Sequence, residues 1–159
     1  MALGDNTLRS AAGNSQRGRN PYMVQTTLNW ATALSDKGSA LAAADVIPVI
    51  AVPKGTMVLN AGIEVDTATD GSTFTVDLGM VDADVFVDGF DATSAAAVVA
   101  QNPAAYQPVM AVADDNIDVT IASLSGGAVT SGKFRVWAVM MDCTDMGDTA
   151  ANEVARDNA

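Results

Sequence analysis

The stretch Val46 to Val65, VIPVIAVPKGTMVLNAGIEV, decides the fold class. It reads as strand, turn, strand. VIPVIAV is rich in Val and Ile, and Pro53-Lys54-Gly55 interrupts it with residues that set and permit turn dihedrals. Beyond the turn, Met57, Leu59, Ala61, Ile63 and Val65 alternate with Thr56, Asn60, Gly62 and Glu64. A period of two places one set on a core face and the other toward water or a partner. Val58 is the apolar residue out of phase. The expected unit is a hairpin whose inward face is Met57, Leu59, Ala61, Ile63 and Val65. Its first strand, apolar on both sides, is expected to be central or covered by a sister subunit.

Outward from this stretch the pattern repeats. Tyr22, Val24, Leu28 and Trp30 alternate with Met23, Gln25, Thr27 and Asn29 and predict a strand before it, followed by the turn signal Asp36-Lys37-Gly38-Ser39. The segment ALAAAD, residues 40–45, suits a helical turn or a short strand. Asp70-Gly71 between two alternating runs predicts a hairpin turn into a strand carrying Phe74, Val76 and Leu78. Val85 to Phe90 suits a short strand. Ser94 to Gln101 is ambiguous, because alanines favour helix and paired valines favour strand. Tyr106 to Val112 contains Pro108, which restricts it to an edge, a strand end or a bulge. Ile117, Val119 and Ile121 mark a further strand. Lys133 to Cys143 is the last long one, with Phe134, Val136, Ala138 and Met140 on one face and Val139 and Met141 making the other apolar as well. About eight strands at this spacing predict an all-β chain, an antiparallel β-sandwich or barrel.

The chain of 159 residues suits one domain, and 49% apolar content, mostly Ala and Val, suits a core of small side chains. Three parts are expected: an extended N-terminal arm over 1–21, a sandwich over 22–145 and a polar C-terminal tail over 146–159. Extended, the arm spans roughly 65–70 Å. Net charge is −11, unevenly spread. No Lys or Arg occurs between Gly55 and Gly132, where eleven Asp or Glu fall, whereas the first twenty residues hold Arg9, Arg17 and Arg19 against Asp5. An acidic body disfavours nucleic acid and anionic lipid. The basic arm suits an acidic surface, including that of a neighbouring copy, and the partner-binding residues expected are Arg9, Arg17, Arg19 and Tyr22.

Chemistry finds little support. The chain has no histidine, so the common base for a serine or cysteine nucleophile is lacking, as are imidazole metal ligands. Cys143, the single cysteine, forms no intrachain disulfide, suits a reducing compartment and is expected to be a buried, inert thiol. There is no phosphate-binding glycine motif. The opening residues do not read as a signal peptide, and no apolar run approaches membrane-spanning length. The acidic loop DADVFVDGFD, with Asp82, Asp84, Asp88 and Asp91, departs from a calcium-binding helix-loop-helix: Val87 stands sixth, where glycine is needed, and Thr93 twelfth, where glutamate is. Solvated acidic turns are the expectation, and Asp84 and Asp88 are the residues a hydrolase reading would need. No enzyme activity, metal or cofactor is expected.

Several local features, in order, resemble the small jelly-roll head decoration, or cement, proteins of tailed bacteriophages. AAADVIPVIAVPKGTMVLNAGIEVDTA (residues 42–68) resembles that family's strand, Pro-x-Gly-Thr turn, strand and threonine-rich exit. TFTVDLG and DADVFVDGFDATSA resemble its next strand and acidic loop. IDVTIASLSGGAVTSGKFRVWAVMMDC resembles its closing hairpin with a Gly-rich turn. The resemblance covers about two-thirds of the chain. It implies a jelly-roll fold and a symmetric oligomer, commonly a homotrimer, bound outside a capsid shell to the major capsid protein. It implies no catalytic positions. The arm as a clasp on a neighbouring capsomer is an expectation of the sequence, not of the resemblance. The other class to weigh is a tail-fibre or spike component, or a carbohydrate-binding sandwich, for which Tyr22, Trp30, Tyr106 and Trp137 are the candidate stacking rings.

Overall fold

Nine strands and one short helix make up the described part of the computed structural model, which covers residues 20–95, 98–100 and 108–143. In order they are β1 (Tyr22–Asn29), α1 (Trp30–Lys37), β2 (Val46–Val52), β3 (Thr56–Thr67), β4 (Thr73–Gly79), β5 (Val87–Asp91), β6 (Val98–Ala100), β7 (Val109–Met110), β8 (Asp115–Ser125) and β9 (Lys133–Asp142). The first sheet has the order β1-β9-β3-β6, with β7 also pairing β3, and the second has the order β2-β8-β4-β5. All pairings are antiparallel. The chain passes repeatedly from sheet to sheet, so partners lie far apart in sequence. Two four-strand paths wound this way form a jelly-roll β-sandwich.

The alternation that predicted the strands does place the core. Phe74, Val76 and Leu78 of β4, Ile117, Val119 and Ile121 of β8, and Phe134, Val136 and Ala138 of β9 are fully buried. They face one another across the two sheets. The strand Lys133 to Asp142, apolar on both sides, is central: β9 lies between β1 and β3.

The pairing expectations are overturned. Val46 to Val65 is not a hairpin: β2 pairs β8 in one sheet and β3 pairs β9 in the other. Pro53-Lys54-Gly55 is a corner between sheets, with Gly55 at φ 83° and its N–H donating to the Ala111 carbonyl. Asp70-Gly71 and the Gly-rich turn before β9 are likewise sheet-to-sheet connections, since β3 does not pair β4 and β8 does not pair β9. Alternation tells which residues seek a core. It does not tell which strand lies alongside, and a facing pair across the sandwich buries the same residues as a hairpin. Nor is β2 central; it is a margin strand, with Val46 56% exposed.

The phase of β3 also differs from expectation. Val58 is buried, while Met57 and Leu59 are only half-buried on the outer side. The register with β9 slips by one between Val58 and Asn60. This bulge sets one extra residue into β3, and every side chain beyond it changes face. Thr56 and Val58 therefore point inward before it, and Ala61, Ile63 and Val65 point inward after it.

Trp30 does not extend β1 but opens α1, with the Asn29 side chain accepting from the Ala31 N–H at 3.0 Å and Gly38, at φ 69°, closing it. Residues 40–45 form a turn in which Ala44 has φ 69° and Asp45 accepts from the Ala42 N–H. Among the described residues, the ambiguous 94–101 segment contributes the strand β6 and the proline-bearing segment contributes the two residues of β7, at the margin of its sheet.

Candidate interaction surfaces

Alternation along β9 turns Lys133, Arg135, Trp137, Val139 and Met141 away from the core. The register brings Met23 of β1 opposite Val139 and Gln25 opposite Trp137. On the other flank Met57 lies opposite Met141, Gly62 opposite Trp137 and Glu64 opposite Arg135. Arg135 Nε donates to the Glu64 carboxylate at 2.8 Å, and the same pair makes a second, shorter contact through Nη2. Such exposed cross-strand pairs contribute little to stability, but they fix two long side chains at one end of this face. The other end is apolar. Asn60 Oδ1, beside the bulge, is enclosed and has no hydrogen-bond donor among the described residues.

Of the partner-binding residues expected from sequence, Tyr22 is the first residue of β1, paired with Met140 and 44% exposed. Arg9, Arg17 and Arg19 lie outside the described residues, so no cluster of the four is seen. Of the rings that a sugar could stack on, Trp30 is wholly buried, Trp137 is half-buried on the outer face of the first sheet, and Tyr106 lies outside the described residues. Cys143 is half-buried rather than buried, because it follows the end of β9, where its N–H donates to the Gly55 carbonyl.

The opposite side of the molecule is acidic. Burial pushes the Asp77 carboxyl up, against the opposing effect of the Gly89 N–H at 2.7 Å, and the nearby Asp88 and Asp84 charges push it further. Burial, with Asp115 beside it, raises Asp118 in the same way. Asp82 is raised by its hydrogen bond to Asp84 and by the charge of that neighbour. Uncompensated carboxylates thus accumulate on the second sheet and its loops.

Other aspartates act as local staples. Asp70 accepts from the Thr130 hydroxyl, the Thr130 N–H and the Ser131 N–H, which hold it down to about 2. It ties the β3–β4 connection to the β8–β9 connection. Asp45 is lowered by its hydrogen bond from Lys37 and by the Ala42 N–H. Asp91 is lowered by the Thr93 hydroxyl and N–H. Asp114 accepts from the Lys54 N–H at 2.9 Å. The acidic turns that the sequence singled out are in part structural for this reason.

Among the described residues, no three Cys, Asp or Glu side chains converge as metal ligands would. A shallow depression between residues 51–53 and 114–116 holds Asp114, Asp115 and Asn116. It lacks a base-nucleophile pair of the kind that activates a serine or cysteine. No described helix is long and apolar enough to cross a membrane.

No family model and no curated protein sequence matches the chain. Solved structures do. A chain of the cyanophage Pam1 capsid asymmetric unit superposes with a TM-score of 0.61 at 18% identity, covering 88% of this chain and 97% of that one. A chain of the capsid of Ralstonia phage GP4 gives 0.54 at 17% identity, over 87% and 90%. A chain of the acidic stable capsid structure of Helicobacter pylori bacteriophage KHP30 gives 0.51 at 14% identity, over 76% and 86%. At these identities the likeness establishes a shared fold along nearly the full length of the neighbouring chains.

Proposed function

We propose that this chain is a structural virion protein that decorates a bacteriophage capsid from outside and stabilises it by bridging neighbouring capsomers. The observation that carries this reading is the sharing of one fold, over 76% to 88% of this chain, with chains from three phage capsids. The sequence supports it independently through the order of its β motifs. In this reading the chain is made in the host cytoplasm, associates with itself as a homotrimer and binds the major capsid protein. It carries out no reaction. Stabilisation of a shell requires a rigid small body and repeated contacts whose avidity accumulates over the lattice. The residues 1–21 with Arg9, Arg17 and Arg19 act as the clasp, and Tyr22 stands where that clasp joins β1.

The test uses purified full-length protein and expanded phage heads lacking decoration. Saturable binding, with heads that survive higher temperature or chaotrope, is the expected result. Removal of residues 1–20 weakens binding if the arm is a clasp; unchanged affinity rejects that role. Failure of the full chain to bind heads rejects decoration itself. The alternative, a tail-fibre or spike component or carbohydrate-binding module, loses Trp30 as a stacking ring. Binding to a glycan array would favour it.

A further inference from the structure

The outer face of the first sheet differs from the rest of this acidic molecule. Four methionines meet there from four strands. Met57 lies between Met141 and Met110, and Met23 lies opposite Val139 one row away. Trp137 closes the patch in the following row. Met23 is 62% exposed and Met110 40%. The stretches that supply the patch, residues 20–35, 56–63, 108–113 and 136–141, contain no Asp, Glu, Lys or Arg. Glu64, Asp66, Lys133 and Arg135 stand toward the far end of β3 and β9 and balance in charge.

The same face ends in an unguarded margin. Sheet margins are usually blunted by proline, charge, bulges or brevity. β2 has Pro48 and a register slip, β5 has Asp88, Asp91 and a register slip on its partner, and β6 and β7 span three and two of the described residues. β1 pairs β9 through eight unbroken positions, carries neither proline nor charge, and has no strand hydrogen-bonded on its other side among the described residues, where part of β2 comes near it.

We propose that this surface, the free margin of β1 together with the methionine face behind it, is where a second copy of this chain docks. Charge distinguishes this occupant from others. A partner of opposite charge can be engaged at many points on the acidic side. The folded body of a second copy cannot, because it is acidic, with eleven Asp or Glu and no Lys or Arg between Gly55 and Gly132, and like surfaces repel. Two copies approach at least cost where the field is weakest, and the uncharged patch is that place. Methionine side chains adapt to an imperfectly matched surface, and an open strand margin offers backbone donors and acceptors for pairing. The inference deepens the self-association part of the proposed function, on which it rests, and its test does not involve heads.

Light scattering on size-exclusion fractions of the full chain reads the mass against the 16.2 kDa protomer. The unmodified chain is expected at a multiple of that mass, and added salt is expected to favour association by screening the repulsion. Met23→Asp with Met141→Asp is expected to weaken association by a factor of about 30 or more. Met23→Asp alone, at the most exposed position of the patch, serves if the double variant does not fold as judged by circular dichroism. Val46→Asp, on the β2 margin, is expected to leave the mass unchanged. A monomer at all concentrations overturns the inference. So does a folded Met23→Asp variant that keeps the parent mass, or a Val46→Asp variant that dissociates equally. Head binding by the unmodified chain is unaffected by any of these outcomes and is judged separately.

Discussion

Trp30 and Phe74 meet edge to face, their ring centroids 4.8 Å apart and their planes at 86°. Phe134 meets Trp30 on another side at 5.2 Å and 77°. Trp30 opens the helix after β1, Phe134 lies on β9 and Phe74 lies on β4, so the cluster joins the first sheet to the second. Each ring is fully buried. Trp30→Ala is expected to cost about 3–5 kcal/mol. Trp30→Phe is expected to cost clearly less, because the indole Nε1 has no partner and its removal offsets part of the lost packing. Urea unfolding of the two variants checks this order.

The bulge in β3 makes a sharper comparison between neighbours. Val58→Ala removes atoms from a fully buried site and is expected to cost roughly 1–3 kcal/mol. Leu59→Ala removes more atoms from a half-buried site and is expected to cost under about 1 kcal/mol. Denaturant midpoints decide it. An unbroken alternation through Met57, Leu59 and Ala61 would give the reverse order.

Gly79 ends β4 beneath the loop that follows it. A Cβ there would lie 2.0 Å from the Asp82 carbonyl oxygen and 2.4 Å from the Ala83 carbonyl carbon. Both obstacles are backbone, held by the Met80 N–H to Asp82 and the Phe86 N–H to Leu78 hydrogen bonds. Gly79→Ala is therefore expected to destabilise by about 3 kcal/mol or more, with the β4–β5 loop displaced. Thermal unfolding measures the loss, and amide exchange of Phe86 reports the loop.

Acidity acts on the carboxylates in two opposite ways. Asp70, Asp45 and Asp91 are lowered by folding, so their contribution is complete above the unfolded value of about 3.9 and is lost as pH falls through the folded values, about 2 for Asp70. Asp77, Asp82 and Asp118 are raised, so the folded chain binds their protons more tightly and gains stability as pH falls toward the unfolded value. Stability is expected to rise slightly from neutral pH to just above about 4 and to fall below that. Urea midpoints across the range trace the curve. Asp70→Asn is expected to flatten its acid limb and leave the rise above it unchanged.

Much of the architecture was legible in single residues. Phe74, Val76 and Leu78, or Ile117, Val119 and Ile121, need only the period of two to be placed in a core. The helix at Trp30 was legible in principle from Asn29 before it and Gly38 after it, a capping residue and a stop. It was obscured because the apolar spacing of β1 runs on into Trp30. The bulge at Val58–Asn60 left no such mark, since a one-residue slip depends on the partner β9 and not on β3 alone. The neutral methionine face was invisible for the same reason: Met23, Met57, Met110 and Met141 are scattered along the chain.

By itself, the sequence determined that this is an all-β chain, which residues most of its strands bury, that its body is acidic and its first twenty residues basic, and that it contains no histidine. Those properties follow from side-chain identity and local period. Only the tertiary structure decided which strands pair, that Val46 to Val65 turns a corner between two sheets, and that scattered methionines gather into an uncharged patch on one outer face. Alternating strands bury the same residues whether they lie side by side or face one another. The choice rests on long-range ladders, β2 with β8 and β3 with β9, that no local stretch encodes.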